Sequence, residues 1–170
     1  PMAAWMISPF HCSSSLNSTP RSTGSSLPRT RNGLSFPSLP DSMIVFGLGY
    51  GISSLKPVVW LRQRQIHYWG DFDTHGFAIL SQLRGYFPQV NSLLMDCRTL
   101  ETYAAAWVRE EAAKRTTAAL QRLDAHEQAC YRQLCDNRLG ENVRLEQERI
   151  PFDWLQERLA LFADHTCNDG

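Results

Sequence analysis

No aspartate or glutamate occurs before Asp41, and the 40 residues concerned contain ten Ser, six Pro and three Arg. Such a segment offers few apolar anchors to offset the entropy of ordering it, so residues 1–40 are expected to be mostly disordered or non-native sequence. An excess of charge is lacking as well: 17 basic side chains balance 17 acidic ones among 170 residues. No overall polycation drives the chain onto nucleic acid, and any such contact must come from local patches. Long hydrophobic runs are also missing. The longest mainly apolar stretch, Met43 to Ile52, falls short of the roughly 20 residues that a membrane-spanning helix needs. No basic start followed by a sustained apolar core marks a secretory signal. The five cysteines, at 12, 97, 130, 135 and 167, include no C-x-x-C pair, and their odd count argues against a complete internal disulfide framework. A soluble protein of a reducing cytoplasm, without a membrane partner, is the expectation.

From Asp41 onward, apolar runs of strand length alternate with longer segments of helical period, the pattern of an α/β domain over 41–165. Met43 to Gly47 is predicted as a buried strand, with Gly47-Leu48-Gly49-Tyr50-Gly51 as a turn into a helix that Pro57 interrupts. Those glycines do not complete a G-x-G-x-x-G dinucleotide fingerprint, because Ile52 stands at the third position. Gln65 to Gly70 forms the next strand. A helix follows over His75 to Phe87, with Phe77, Leu80, Leu83 and Phe87 on one side and Pro88 as its stop. Val90 to Met95 is a third strand, and Thr99 caps a helix running to about Glu111. Leu120, Leu123, Cys130, Tyr131 and Leu134 trace another apolar helix side. The last helix starts near Pro151 and buries Phe152, Leu155, Leu159 and Phe162.

The functional signal is Gly70-Asp71-Phe72-Asp73-Thr74-His75-Gly76. Residues two apart on an extended strand project to one face, so the carboxylates of Asp71 and Asp73 converge at a strand end and can hold a divalent cation. A helix beginning near His75 aims its N-H groups at the same spot, which favours a phosphate. Metal plus phosphate points to phosphoryl-transfer chemistry, provided the carboxylates leave room for a cation. A calcium loop fails, since Gln82 stands where its twelfth position wants Glu. A haloacid-dehalogenase-type phosphatase also opens with D-x-D, but His75 stands where that motif has Thr or Val. A solvated loop with two acids is the bland alternative.

Three segments, His67-Tyr68-Trp69-Gly70-Asp71-Phe72-Asp73-Thr74-His75-Gly76-Phe77-Ala78-Ile79-Leu80, Ser92-Leu93-Leu94-Met95-Asp96 and Arg144-Leu145-Glu146-Gln147-Glu148-Arg149-Ile150, occur in this order. In them the chain resembles the C-terminal domain of the D subunit of the Wadjet bacterial defence system, over about residues 32–163. The resemblance implies a Toprim-like, partly parallel sheet flanked by helices, similar to that of topoisomerase VI A subunits. It implies a Mg²⁺- or Mn²⁺-dependent nuclease of double-stranded DNA that acts with a condensin-like ATPase complex to cut invading plasmids, and it allows a homodimer. By this likeness Asp71 and Asp73 bind the metal and carry catalysis. Asp96 assists through a bound water or, equally, caps a helix, while His75 and Arg84 contact DNA.

The family's pattern also has a Glu at the end of the first strand, upstream of Asn32, and this chain has no acidic residue there. The first strand is therefore expected to be missing or altered, which would leave an unpaired sheet edge and poor solubility. With Pro1 in place of Met, the chain resembles a fragment or a product of a shifted reading frame. The DNA-binding parts that precede the domain in the family, and a winged-helix tyrosine nucleophile, have no counterpart. Inactivity follows if no other group replaces the Glu; the alternative to a nuclease is a non-catalytic remnant or partner-binding fragment. Glu146 and Glu148 alternate on one face with Arg144, either as accessory acids or as a salt-bridged surface strand. His126 and Cys130, one helical turn apart, make a weak metal signal. Trp69 is expected in the core, and Arg62 is a further backbone-contact candidate.

Overall fold

The computed structural model describes residues 4–9, 42–46 and 51–165. Among them run β1 (Ala4–Pro9), β2 (Met43–Phe46), β3 (Arg64–Trp69), α1 (Thr74–Tyr86), β4 (Val90–Ser92), α2 (Cys97–Thr102), β5 (Val108–Arg109), α3 (Ala125–Cys135), β6 (Val143–Arg144) and α4 (Phe152–His165). β3 and β4 pair in parallel with α1 between them, so the chain is an α/β protein with a partly parallel sheet flanked by helices. The sheet order is β2-β1-β3-β4, and β1 is antiparallel to both of its neighbours. Of the segment expected to lack order, Ala4–Pro9 thus forms a strand that covers the β3 edge; residues 10–41 lie outside the described residues, as do the glycine turn at 47–50 and the side chains of Phe152 and Phe162.

The strand β3 is buried along Ile66, His67, Tyr68 and Trp69, as befits a strand covered on both faces. Phe77, Leu80 and Leu83 of α1, together with Phe72 and Leu100, share its hydrophobic core with no exposed surface. β4 is shorter than its apolar sequence predicts. The backbone at Leu94 turns left-handed, with φ of 60°, and ends the extended run while Leu93, Leu94 and Met95 stay buried. The predicted long helix after Thr99 also divides. α2 stops at Thr102, Trp107 Nε1 donates to the Leu100 carbonyl at 2.9 Å, and the chain then extends into β5. Ala104, Ala105 and Ala106 form only a short 3-10 turn, and the pairing of β5 with β6 takes over beyond it. In place of one helix around Pro57, two short 3-10 turns occupy Ile52–Leu55 and Val59–Gln63.

Three further contacts tie the elements together. Phe72 and Leu145 exchange backbone hydrogen bonds of 2.8 and 3.0 Å, which brings the end of β6 beside the turn after β3. Arg84 donates to both oxygens of Glu127, and Ser92 Oγ donates to the same carboxylate, so one buried acid ties α1, β4 and α3 together. Cys97 and Cys130 form a disulfide between α2 and α3, one bond within the odd count. Among the described residues no helix is long and apolar enough to cross a membrane.

Gly76 is required by space. A Cβ there would lie 2.1 Å from the Asp71 carbonyl oxygen, a backbone atom that cannot swing aside. Gly76→Ala is expected to destabilise the chain by about 1–3 kcal/mol or more, the usual scale of overpacking. A denaturation midpoint equal to that of the parent chain would contradict this close packing.

Candidate cation site

Asp71 follows β3 and Asp73 is the N-cap of α1, its Oδ1 accepting from the Gly76 N-H at 2.6 Å. The carboxylate caps the helix because its first N-H groups lack intrahelical partners. Both acids are buried, at 6% and 5% exposure. They converge on one positive group, the guanidinium of Arg144: Nη2 lies 2.7 Å from Asp71 Oδ2, and Nε lies 3.3 Å from Asp73 Oδ2, outside hydrogen-bond geometry. Asp71 Oδ1 accepts from the Gln147 N-H at 3.1 Å. All four carboxylate oxygens therefore face a donor or a positive charge. The convergence expected from the D-x-D spacing is present, and the occupant is an arginine.

The second partner of this region was not foreseen. Glu110, 3% exposed, follows β5 and accepts from Thr74 Oγ1 at 2.7 Å, from the Thr74 N-H at 3.3 Å and from the His75 N-H at 3.2 Å. Arg115 Nε lies 3.9 Å from it. The first N-H groups of α1, expected to await a phosphate, are thus taken by Glu110 and Asp73, because a carboxylate on the chain itself meets the same positive helix end. β5 and β6 are paired, Val108 with Arg144 and Arg109 with Val143, so one small ribbon leads to Glu110 and carries Arg144.

Asp96 is the N-cap of α2, accepting from the Thr99 N-H at 2.8 Å, with Arg158 at 3.7 Å. The cap alternative is what its geometry provides. Among the described residues no group of three or more His, Cys, Asp or Glu is placed to hold a metal ion, so Asp96 does not complete such a set with Asp71 and Asp73. Arg84 spends its guanidinium on Glu127 and on the Val90 and Arg122 carbonyls, which leaves it little to offer DNA. His75 is half-buried on the first turn of α1, and burial lowers its pKa. Extended backbone ends at Glu146, where a 3-10 turn over Gln147–Arg149 begins, so the alternation predicted for Glu146 and Glu148 breaks. Glu146 Oε1 lies 3.7 Å from Arg144 Nη2 and its Oε2 accepts from Arg149, while Glu148 is exposed. Cys130 is spent in its disulfide, and His126 is exposed. Trp69 is core. Gln147 is fully buried, yet among the described residues neither its Oε1 nor its Nε2 has a hydrogen-bond partner.

Burial pushes the Asp73 carboxyl up to about 7; Gly76 opposes this, Glu110 and Asp71 add to it, and Arg144 opposes it. Burial also raises the Tyr68 hydroxyl, with help from Asp73 and Asp71, and keeps it a donor to the Gly76 carbonyl at 3.1 Å. Arg144 is raised: burial works against its charge, and the attraction of Asp71 and Asp73 outweighs burial. A carboxyl whose folded pKa exceeds its ordinary 3.8 favours the fold when protonated. Its contribution is full below that value and is lost as pH rises toward about 7. In metal-free chain, Asp73→Asn is expected to remove a decline in unfolding free energy between these limits, because Asn still caps α1. Denaturation curves with equal pH slopes for parent and variant would refute this; His67 and His75, which burial lowers, act with the opposite sign in both proteins.

No curated protein matches the chain. The family described as Wadjet protein JetD, C-terminal, matches residues 30–159, a span that contains β3, α1, the Asp pair, Glu110 and Arg144. The chain belongs to that JetD C-terminal family.

Proposed function

We propose that the domain is a divalent-cation-dependent DNA nuclease domain of a Wadjet-type anti-plasmid system, in which Asp71 and Asp73 hold Mg²⁺ or Mn²⁺. One observation carries this reading: two buried carboxylates from a strand end and a helix cap point at a single positive group. Mg²⁺ needs only one or two carboxylates, with waters and substrate phosphate oxygens completing its shell. The buried, unpartnered carboxamide of Gln147, whose backbone N-H holds Asp71, adds a polar group in want of a partner. When bound, such an ion polarises a scissile phosphodiester and stabilises its leaving oxygen. Asp71 and Asp73 then serve to fix the ion, and α1 and the Phe72–Leu145 bridge hold them in register. Membership of the JetD family supports a defence-system setting, with double-stranded DNA as substrate and a condensin-like ATPase complex as partner.

A second reading has its own observation. Arg144 already neutralises the acid pair, and residues 1–40 contain no acidic residue to match the upstream Glu that the resemblance implies. In that reading the domain keeps its fold and a partner-binding face without chemistry. Nicking of supercoiled plasmid in Mg²⁺ or Mn²⁺ separates the two. Cleavage that Asp71→Asn abolishes is the expected result; metal binding with no cleavage would favour the non-catalytic domain.

A further inference from the structure

The positive group between Asp71 and Asp73 belongs to a side chain that has somewhere else to go. Arg144 Nη2 is 2.7 Å from Asp71 Oδ2 and 3.7 Å from Glu146 Oε1, and Glu146 is half-buried at the solvent side. The backbone at this point is fixed. Leu145 is bonded to Phe72 in both directions and Val143 is paired with Arg109, so the guanidinium can change partner by side-chain rotation alone. Two positive charges cannot share one pair of buried carboxylates without strong repulsion, since at about 4 Å unit charges interact by several kcal/mol at an effective dielectric near 20. The Asp71 and Asp73 oxygens therefore hold either Arg144 or a metal ion. Gln147, one residue beyond Glu146, adds a buried amide oxygen that has no hydrogen-bond partner among the described residues.

Resting on the reading of Asp71 and Asp73 as a cation site, we propose that Arg144 is an exchangeable internal counter-cation. Its guanidinium holds the paired carboxylates in the metal-free protein and leaves them for Glu146 when a divalent cation binds. The same guanidinium keeps two buried acids compatible with the fold until metal arrives, and it sets a threshold concentration below which the site stays closed. No covalent change is involved; one cation replaces another. Glu110 plays the corresponding part for negative charge at the α1 N-terminus, but it stays clamped by three donors and is not part of the exchange.

The test is Mn²⁺ binding to the full chain, followed by the paramagnetic resonance of free ion, for the parent chain, Arg144→Gln, Arg144→Lys and Asp71→Asn, each checked for folding by circular dichroism. Arg144→Gln is expected to tighten Mn²⁺ binding about tenfold or more, the direction set by removing one positive charge from the carboxylates. Arg144→Lys should tighten it less, and Asp71→Asn should abolish it. If Asp71→Asn abolishes binding while Arg144→Gln leaves it unchanged or weaker, the cation site stands and the exchange is overturned. If neither parent nor Arg144→Gln binds Mn²⁺, the cation-site reading itself fails and takes the exchange with it. The exchange is also read without a folding risk, by Mg²⁺ titration of the parent chain in nuclear magnetic resonance. The Arg144 Nε-H signal, identified by its absence from Arg144→Lys, should move with the same saturation as the Asp71 carboxyl carbon. A carboxyl signal that moves while the Arg144 signal stays fixed overturns the proposal.

Discussion

The ion pair of Arg144 with Asp71 and Asp73 is the interaction on which the rest of this region depends. Two acids placed two residues apart at the end of β3 repel each other in a buried setting, and the Arg144 guanidinium offsets that repulsion. Removing one partner of a buried pair typically costs about 3–5 kcal/mol, because the other is left uncompensated. The fold meets the constraint by returning the chain to this point through β6 and fixing it with the Phe72–Leu145 bridge. The turn, the helix cap and the ribbon are parts of one electrostatic arrangement.

That arrangement explains how an acidic motif can sit in the core of this domain. Around the N-terminus of α1, negative groups meet the helix end through Asp73 and Glu110, and positive groups meet the negative ones through Arg144 and Arg115. Elsewhere the same device recurs with Arg84 and Glu127, where a carboxylate with four donors joins three elements and is fully spent. The two buried pairs differ in one respect that bears on function. Arg84 has no second carboxylate to turn to among its contacts, whereas Arg144 has Glu146. One pair is built to stay and the other has an alternative.

Much of this was legible in the sequence where the signal is local. The β3 strand, the turn at Asp71 and the α1 helix follow from a short apolar run, a capping Asp and a Gly three residues on, all within about one helical turn of each other. Convergence of the acid pair followed from the two-residue period of a strand. Arg144 was visible as a charge beside Glu146, but its pairing with Asp71 spans 73 residues and no local pattern announces it. Glu110 was lost because Ala104, Ala105 and Ala106 read as helix, and its contact with Thr74 spans 36 residues. The β-prone Trp107-Val108 after those alanines was the one signal that the helix had ended. Ala4–Pro9 shows the converse, a strand formed where composition offered little, by pairing with β2 and β3 on either side.

The central claim is that Asp71 and Asp73 form a single cation site that Arg144 fills in the absence of metal. A crystal structure of the chain grown with Mn²⁺, with the metal located by its anomalous scattering, tests it most directly. The account predicts a peak between the two carboxylates and the Arg144 guanidinium turned toward Glu146. Arg144 in place between the carboxylates at saturating Mn²⁺, with no peak beside them, would contradict it.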